Sequence, residues 1–223
     1  MSAQPGKRRA RILITAGPTR EKIDPIRFIS NYSTGTFGYE LARQASRRGN
    51  AVTLISGPTM LEKPKGVKVL CVESGREMHD AVMKELPKND CVIMAAAVSD
   101  WRPRIEAKKK IKRGSGSKTL ELIENTDILA EVGRKKRGTI TVGFALETDH
   151  VEKNALKKLR QKNADMMIAN KLTSRSCVFG DNATDIIIID RRGSRMRLRH
   201  RSKRELAKNI LDKVSSFDIY SKN

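Results

Sequence analysis

Short apolar strands alternating with helical stretches constrain this chain more than any other feature. Ala10–Ala16 (ARILITA) is apolar along its length and closes on Gly17-Pro18. Cys91–Val98 is apolar on both faces, and Ala51–Ile55, Val67–Val72, Thr139–Ala145 and Asp165–Ala169 supply further strands. Between them the period changes. Thr36–Arg48 places Phe37, Leu41 and Ala45 on one helical face, and Glu77–Leu86 and Val151–Lys162 also suit helices. Strands apolar on both faces need cover on both, and parallel strands need the crossovers that helices provide. The pattern predicts an α/β fold: a Rossmann-like, doubly wound, mostly parallel sheet.

Two regions break the rhythm. Arg102–Gly116 holds seven Lys/Arg against one Glu and runs into Gly-Ser-Gly-Ser, so residues 102–117 read as a mobile basic loop. Asp185–Asp190 and Ser194–Arg199 predict a small β-hairpin extension near the C-terminus, turning at Arg191-Arg192-Gly193. In its second arm Met196 and Leu198 alternate with Arg195, Arg197 and Arg199, the pattern of a half-exposed strand. Ser202–Val214 reads as a closing helix, and the stretch between Gly17 and Thr36 as an irregular loop. The expected organisation is a basic flexible tail (1–9), a single Rossmann-like domain (10–217) and a frayed end (218–223). The 223 residues suffice for one full α/β domain and not two large ones.

Composition excludes several classes. No apolar run approaches the roughly 18–20 residues of a membrane span, and the basic start MSAQPGKRRA lacks the apolar core of a secretory signal. A cytoplasmic enzyme is the expectation. Cys71, Cys91 and Cys177 are too scattered for a disulfide framework or a zinc site, and the first two are expected to pack as small hydrophobes. The net charge of +21 must attract anions. With aromatic residues at 4%, base stacking is poorly served, so a nucleic-acid partner is not required. A basic nucleic-acid-binding protein with a retired active site would use Arg191–Arg204, with eight Lys/Arg and no acid, as its phosphate strip.

Ligands of doubly wound sheets bind beyond the C-terminal strand ends. Those ends collect Thr15–Thr19, Ser56–Thr59, Ala95–Asp100, Gly143–Glu147 and Ala169-Asn170, in which small residues let a ligand approach backbone amides. Ser33-Thr34-Gly35-Thr36-Phe37-Gly38 partly matches a dinucleotide fingerprint, yet its glycine spacing is incomplete and it lies beyond the first turn. An NAD(P)-dependent oxidoreductase would also want an acid ending the second strand, where Ser56-Gly57 stands. The same stretch suits a phosphate on a helix N-terminus, or a plain Ser/Thr cap; the residues alone leave both open. Asp100 suits a magnesium ion held through water, a polar substrate or a turn cap. Lys108–Arg113 (KKKIKR) suits closure over a polyphosphate or a solvated charge run. Lys158 and Lys162 share one helix face.

Taken in order, TAGPTREKIDPIRFISNYSTGTFG (Thr15–Gly38), AAAVSDWRP (Ala95–Pro103), KIKR (Lys110–Arg113), ENTDIL (Glu124–Leu129), VGFALET (Val142–Thr148) and the MIAN ending at Asn170 resemble phosphopantothenoylcysteine synthetase, or phosphopantothenate–cysteine ligase. The resemblance runs from about Arg11 to Val214. It implies amide formation between 4′-phosphopantothenate and cysteine in coenzyme A biosynthesis. It further implies an acyl nucleotidylate made from a nucleoside triphosphate (CTP, or ATP), Mg2+, release of pyrophosphate and then nucleoside monophosphate, and a homodimer. By position, Gly17, Ser33, Gly35 and Gly38 would contact the triphosphate, and Asn31 the acyl nucleotidylate. Ala95, Ala96, Ala97 and Asp100 would border nucleotide and pantothenate, with Asp100 nearest magnesium and Lys110 stabilising charge in the transfer. Asn125, Thr126, Asp127, Ile128, Phe144, Lys158, Lys162 and Asn170 would line the nucleotide pocket. Arg27 would reach a substrate phosphate in the neighbouring subunit. Thr36 and Phe37 depart from the lysine and methionine common in bacterial members, and Asn125-Thr126-Asp127 from Asn-Pro-Asp. With about ten residues before the first strand, the decarboxylase often fused in bacteria is expected to be a separate protein.

Overall fold

The computed structural model describes residues 9–114, 116–171 and 182–217. Residues 1–8 and 218–223, where tails are expected, and Cys177 lie outside the described residues. The chain opens with β1 (Arg11–Ala16), a hairpin of β2 (Arg20–Lys22) and β3 (Phe28–Ser30), and α1 (Thr36–Arg47). β4 (Ala51–Ser56), β5 (Val67–Cys71), α2 (Gly75–Glu85) and β6 (Cys91–Met94) follow. The antiparallel pair β7 (Trp101–Pro103) and β8 (Leu122–Glu124) leads to α3 (Ile128–Lys135), β9 (Ile140–Glu147), α4 (Val151–Gln161) and β10 (Met166–Lys171). β11 (Thr184–Asp190), β12 (Arg195–Arg201) and α5 (Lys203–Ser215) close the described chain.

One eight-stranded sheet has the order β12-β11-β10-β9-β6-β1-β4-β5. From β10 to β5 every neighbour is parallel, while β11 and β12 run antiparallel as an added hairpin. The chain winds outward from β1 to β4 and β5, then returns to β6 on the other side of β1 and winds out again. This is the doubly wound Rossmann order, with its reversal between β1 and β6.

Side-chain alternation explains why both faces are covered. Ile12, Ile14 and Ala16 join Leu41 and Ala45 of α1 and Leu206, Ile210 and Val214 of α5 in one core layer. Leu13 points the other way, into a layer with Met78 and Val82 of α2, Leu129 and Val132 of α3, and Leu159 of α4. Each fully buried Leu or Ile contributes about 1.5–3 kcal/mol relative to an exposed one. The helix starts are encoded locally. Ser74 caps α2 by accepting from Glu77 N, Asp127 caps α3 from Ala130 N, and Ser202 with Glu205 forms a reciprocal box at α5.

The structure corrects several readings. The stretch between Gly17 and Thr36 contains the β2–β3 hairpin, with Glu21 opposite Ile29. The strand that starts at Cys91 ends at Met94, because Ala97 bonds to Gly17 and Thr19 instead of continuing a ladder. Arg102 and Pro103 belong to β7, so the basic loop begins later. These strands have three residues each, too few to show a period of two. Helix α3 was not anticipated, because three of its eight residues are charged and a basic run follows. Cys91 is buried as expected, but Cys71 is exposed at the end of the edge strand β5.

α2 and α3 are bridged by His79, whose ring nitrogens lie 2.8 Å from Asp80 and 2.9 Å from Glu131. Burial disfavours the imidazolium, but these carboxylates outweigh it and raise its pKa above 6.5. A raised folded-state pKa contributes stability that is complete below about pH 6.5 and is lost as pH rises through the raised value. Wild-type thermal stability is therefore expected to decline across that window. His79→Gln should flatten the decline, read from melting temperatures in a pH series.

Candidate active site

The crevice opens at the C-terminal ends of β1 and β6, where the strand order reverses. Thr15 and Thr19 are fully buried, and their hydroxyls accept hydrogen bonds from Ala96 N (3.1 Å) and Ser99 N (3.0 Å). Ala97 links the two strand ends: its N–H donates to Gly17 O at 2.9 Å and its carbonyl accepts from Thr19 N at 3.2 Å. The same carbonyl accepts Asn31 Nδ2 at 2.9 Å. Asn31 is thereby drawn from its loop to the strand-end segment that carries Asp100.

The mouth of α1 lies against the end of β1 and the Gly17 turn that follows it. Its N-cap is Gly35, at φ 80°, and no side chain caps the helix, so the Ser/Thr cap considered from sequence is not formed. The first-turn amides are therefore free of a side-chain acceptor, as an anion site requires. Ser33 Oγ instead accepts from Gly35 N at 3.3 Å. Gly17, at φ 78°, and Gly35 approach so closely that a Cβ on Gly35 would lie 3.1 Å from Gly17 Cα. Phe37, in the first turn, meets Phe144 of β9 edge-on, with ring centroids 5.0 Å apart.

Beyond β6 lies a cavity of about 470 Å3, lined by Ala96, Asp100, Asn125, Thr126, Asp127, Ile128, Phe144 and Lys162 together with Met94, Val98, Ser99, Trp101, Glu124 and Leu129. Asn125 is fixed by Nδ2 donating to Ser99 O at 2.8 Å and by its own N–H donating to Asp100 O at 2.7 Å. Asp127 caps α3 and pairs with Lys162 at 2.9 Å. Burial opposes its ionisation, but Ala130 N–H and Lys162 prevail and lower its pKa.

Other predicted residues sit apart from this cavity. Lys158 pairs with Glu147 at 2.6 Å, so Lys158 and Lys162 serve different carboxylates. Asn170 donates to Thr184 Oγ1 at 2.9 Å, and its Oδ1 is buried without a hydrogen-bond partner among the described residues. Ala95 packs on the α1–α5 core layer. Arg27 pairs with Asp24 and donates to Ile111 O at 2.9 Å, next to the exposed Lys110. The sequence gives no individual role to Asp24 or Trp101, and it offers Thr19 and Ser99 only as members of ligand-facing strand ends. Ser99 is 6% exposed, and its hydroxyl has no partner among the described residues. A serine in a run of small residues gives no sign that it will be enclosed.

Among the described residues no group of three His, Cys, Asp or Glu is placed to hold a metal. Asp100, Glu124 and Asp127 bring oxygen donors to the cavity lining, and oxygen donors are the kind a magnesium ion takes. β4 ends in Ser56, which hydrogen-bonds Tyr39 at 3.0 Å, and Gly57-Pro58-Thr59 follow, so the strand end lacks the acid that meets a dinucleotide ribose.

A family model described as DNA/pantothenate metabolism flavoprotein C-terminal domain matches residues 7–217. The chain belongs to that family. It is 42% identical over 206 residues to the coenzyme A biosynthesis bifunctional protein CoaBC of Bacillus subtilis (strain 168), covering 92% of this chain and 51% of that protein. The protein of the same name from Vibrio cholerae (serotype O1, El Tor Inaba N16961) is 45% identical over 186 residues, 82% of this chain and 47% of that one. The chain thus spans about half the length of these curated relatives. A crystal structure of the C-terminal domain of a CoaBC protein superposes with TM-score 0.80 at 39% identity, covering 93% of this chain and 94% of that one. Cab2 in complex with phosphopantothenate-cysteine shares the fold at TM-score 0.75 and 20% identity, with 97% and 90% covered. The family resemblance read from the motifs is borne out, and so is the Rossmann-like sheet.

The family's glycine-bearing stretch has a packing requirement of its own. A Cβ on Gly38 would lie 2.5 Å from Ala16 Cβ and 2.9 Å from Thr15 O, both within the buried strand β1. Glycine to alanine inside a helix ordinarily stabilises by about 0.5–1 kcal/mol. Here the sign should reverse, and Gly38→Ala is expected to cost about 1–3 kcal/mol by forcing α1 away from β1. A urea denaturation series measures it.

Proposed function

We propose that this chain is a phosphopantothenate–cysteine ligase that uses CTP. The observation that carries the reading is the convergence of Ala96, Asp100, Asn125–Ile128, Phe144 and Lys162 on one cavity beyond β6, beside the strand-order reversal. Asn31 is bonded to Ala97 of the strand-end segment, and the uncapped start of α1 lies against Gly17, which bonds the same Ala97. The full-length relatives named for coenzyme A biosynthesis support it.

In the first half-reaction, a carboxylate oxygen of 4′-phosphopantothenate attacks the α-phosphorus, forming an acyl nucleotidylate and expelling pyrophosphate. In the second, the cysteine amine attacks the acyl carbon, the nucleoside monophosphate leaves, and the ammonium proton passes to solvent. Neither half needs a protein nucleophile; positioning and charge stabilisation suffice. Gly17, Ser33, Gly35 and Gly38 present the mouth of α1 to the triphosphate. Asn125, Thr126, Asp127, Ile128, Phe144 and Lys162 hold the nucleoside, and Lys158 and Asn170 support the walls on β9 and β10. Ala95, Ala96, Ala97 and Asp100 separate nucleotide from pantothenate. Asn31 orients the acyl carbonyl, and Lys110 meets the charge that gathers on the phosphates. Asp100 would hold a magnesium ion, which would neutralise part of the triphosphate charge.

A homodimer completes the reading. The hydrogen bond from Ala107 N to Ile23 O sets the two small hairpins side by side, and Ile26 and Ile105, near that contact in sequence, stand 63% and 76% exposed. Such a patch suits a second copy, with Arg27 reaching the phosphate of the substrate bound by that copy. Among the described residues no helix is long and apolar enough to cross a membrane. The cytoplasm is the proposed compartment.

Incubation with 4′-phosphopantothenate, Mg2+ and each of the four nucleoside triphosphates should release pyrophosphate, fastest with CTP. Cysteine should then liberate the monophosphate. Silence with all four triphosphates sinks the assignment. Asn31→Ala is expected to slow amide formation by roughly a hundredfold, as loss of one carbonyl-orienting donor does, with pyrophosphate release retained; normal amide formation removes Asn31 from its role.

A further inference from the structure

We propose that Asp24 is a positioning residue: with Arg27 it clamps the basic loop at Ile111 and so sets where Lys110 projects. Asp24 is 1% exposed, and both of its oxygens are committed. Oδ1 accepts from Ile26 N and Arg27 N, both at 2.9 Å, which closes the local turn. Oδ2 is directed elsewhere. It accepts from Arg27 Nε at 3.1 Å and from Ile111 N at 3.1 Å, across 87 positions of sequence. The Arg27 guanidinium, held by Asp24, then donates to Ile111 O at 2.9 Å. Both backbone polar groups of Ile111 are therefore bound by one ion pair. Four residues earlier, Ala107 N donates to Ile23 O at 3.0 Å.

The loop gives this clamp a purpose. Residues 108–113 are five cations and one apolar residue, and the apolar one is Ile111, where the clamp closes. Like charges at this density repel and extend a free segment. The clamp takes hold through the backbone and leaves the side chains of Lys108, Lys109, Lys110, Lys112 and Arg113 exposed. A carboxylate needed only for its own turn would use Oδ1 alone. Here the second oxygen converts a mobile basic run into one with a fixed point adjoining Lys110. The consequence for catalysis rests on the ligase reading, whereas the clamp itself does not.

Amide hydrogen exchange followed by NMR on the full chain without nucleotide tests the clamp. Ile111 and Ala107 should be protected relative to Lys108–Lys110, and Asp24→Asn should speed exchange of Ile111 roughly tenfold with the sheet amides unchanged. An unprotected Ile111 in the wild type overturns the proposal without any variant or any activity. Pyrophosphate release tests the coupling to Lys110. Asp24→Asn should lower kcat roughly tenfold with the nucleotide KM held, but less than about twofold when Lys110→Gln is already present. Fully additive losses mean that Asp24 does not act through Lys110. If the wild type shows no turnover, the ligase reading falls and the exchange arm still decides the clamp.

Discussion

Ala97 is the smallest link on which the mouth of this protein depends. Its amide and carbonyl close on Gly17 and Thr19, and the carbonyl also takes Asn31. β6 stops at Met94 because the next residues are needed for this connection instead of for a ladder. The buried hydroxyls of Thr15 and Thr19 reinforce it by accepting the amides of Ala96 and Ser99. A strand end that would otherwise splay becomes a rigid shelf, with Asp100 beyond it. Buried hydroxyls are kept inside a core only when they are paired, and pairing makes them orienting groups.

The charge imbalance shapes the rest. With 25 acids against 46 Lys/Arg, the inward-facing carboxylates are often shared. Buried Asp165 meets Lys136 at 2.8 Å and Arg191 at 2.7 Å; Glu152 takes Arg195 and Arg197 of β12; Glu85 takes Lys88 and Lys68. Asp24 spends its charge on Arg27, which holds its carboxyl far below the usual carboxylate range with help from the amides it accepts. Among the described residues no ion pair engages Lys108, Lys109, Lys110, Lys112 or Arg113. These side chains are exposed, and their field is left for an incoming anion. Along β12 the arginines also guard a sheet edge against pairing with another strand.

Much of the fold was legible in the residues. Continuous apolar runs such as ARILITA and the one that starts at Cys91 can only be buried on both faces, so the parallel core and its helical cover followed from pattern. The motifs also named most of what lines the cavity, because strand ends in such a sheet must carry the ligand. The short hairpins were not legible. Three-residue strands have no readable period, and their pairing is set by partners such as Glu124 opposite Trp101. The division of Lys158 from Lys162 was hidden too, since helix spacing places both on one face while Glu147 and Asp127 draw them apart.

The sequence by itself determined the layer architecture, the point of strand reversal and the family, because hydrophobic period and local motif are properties of neighbouring residues. Only the tertiary structure decided which groups meet. Asp24 lies 87 positions from the amide it binds, and Gly38 needs its hydrogen only because Ala16 lies 2.5 Å from where a Cβ would stand. Contacts of that kind arise from packing across the sheet, and no local pattern in the chain records them.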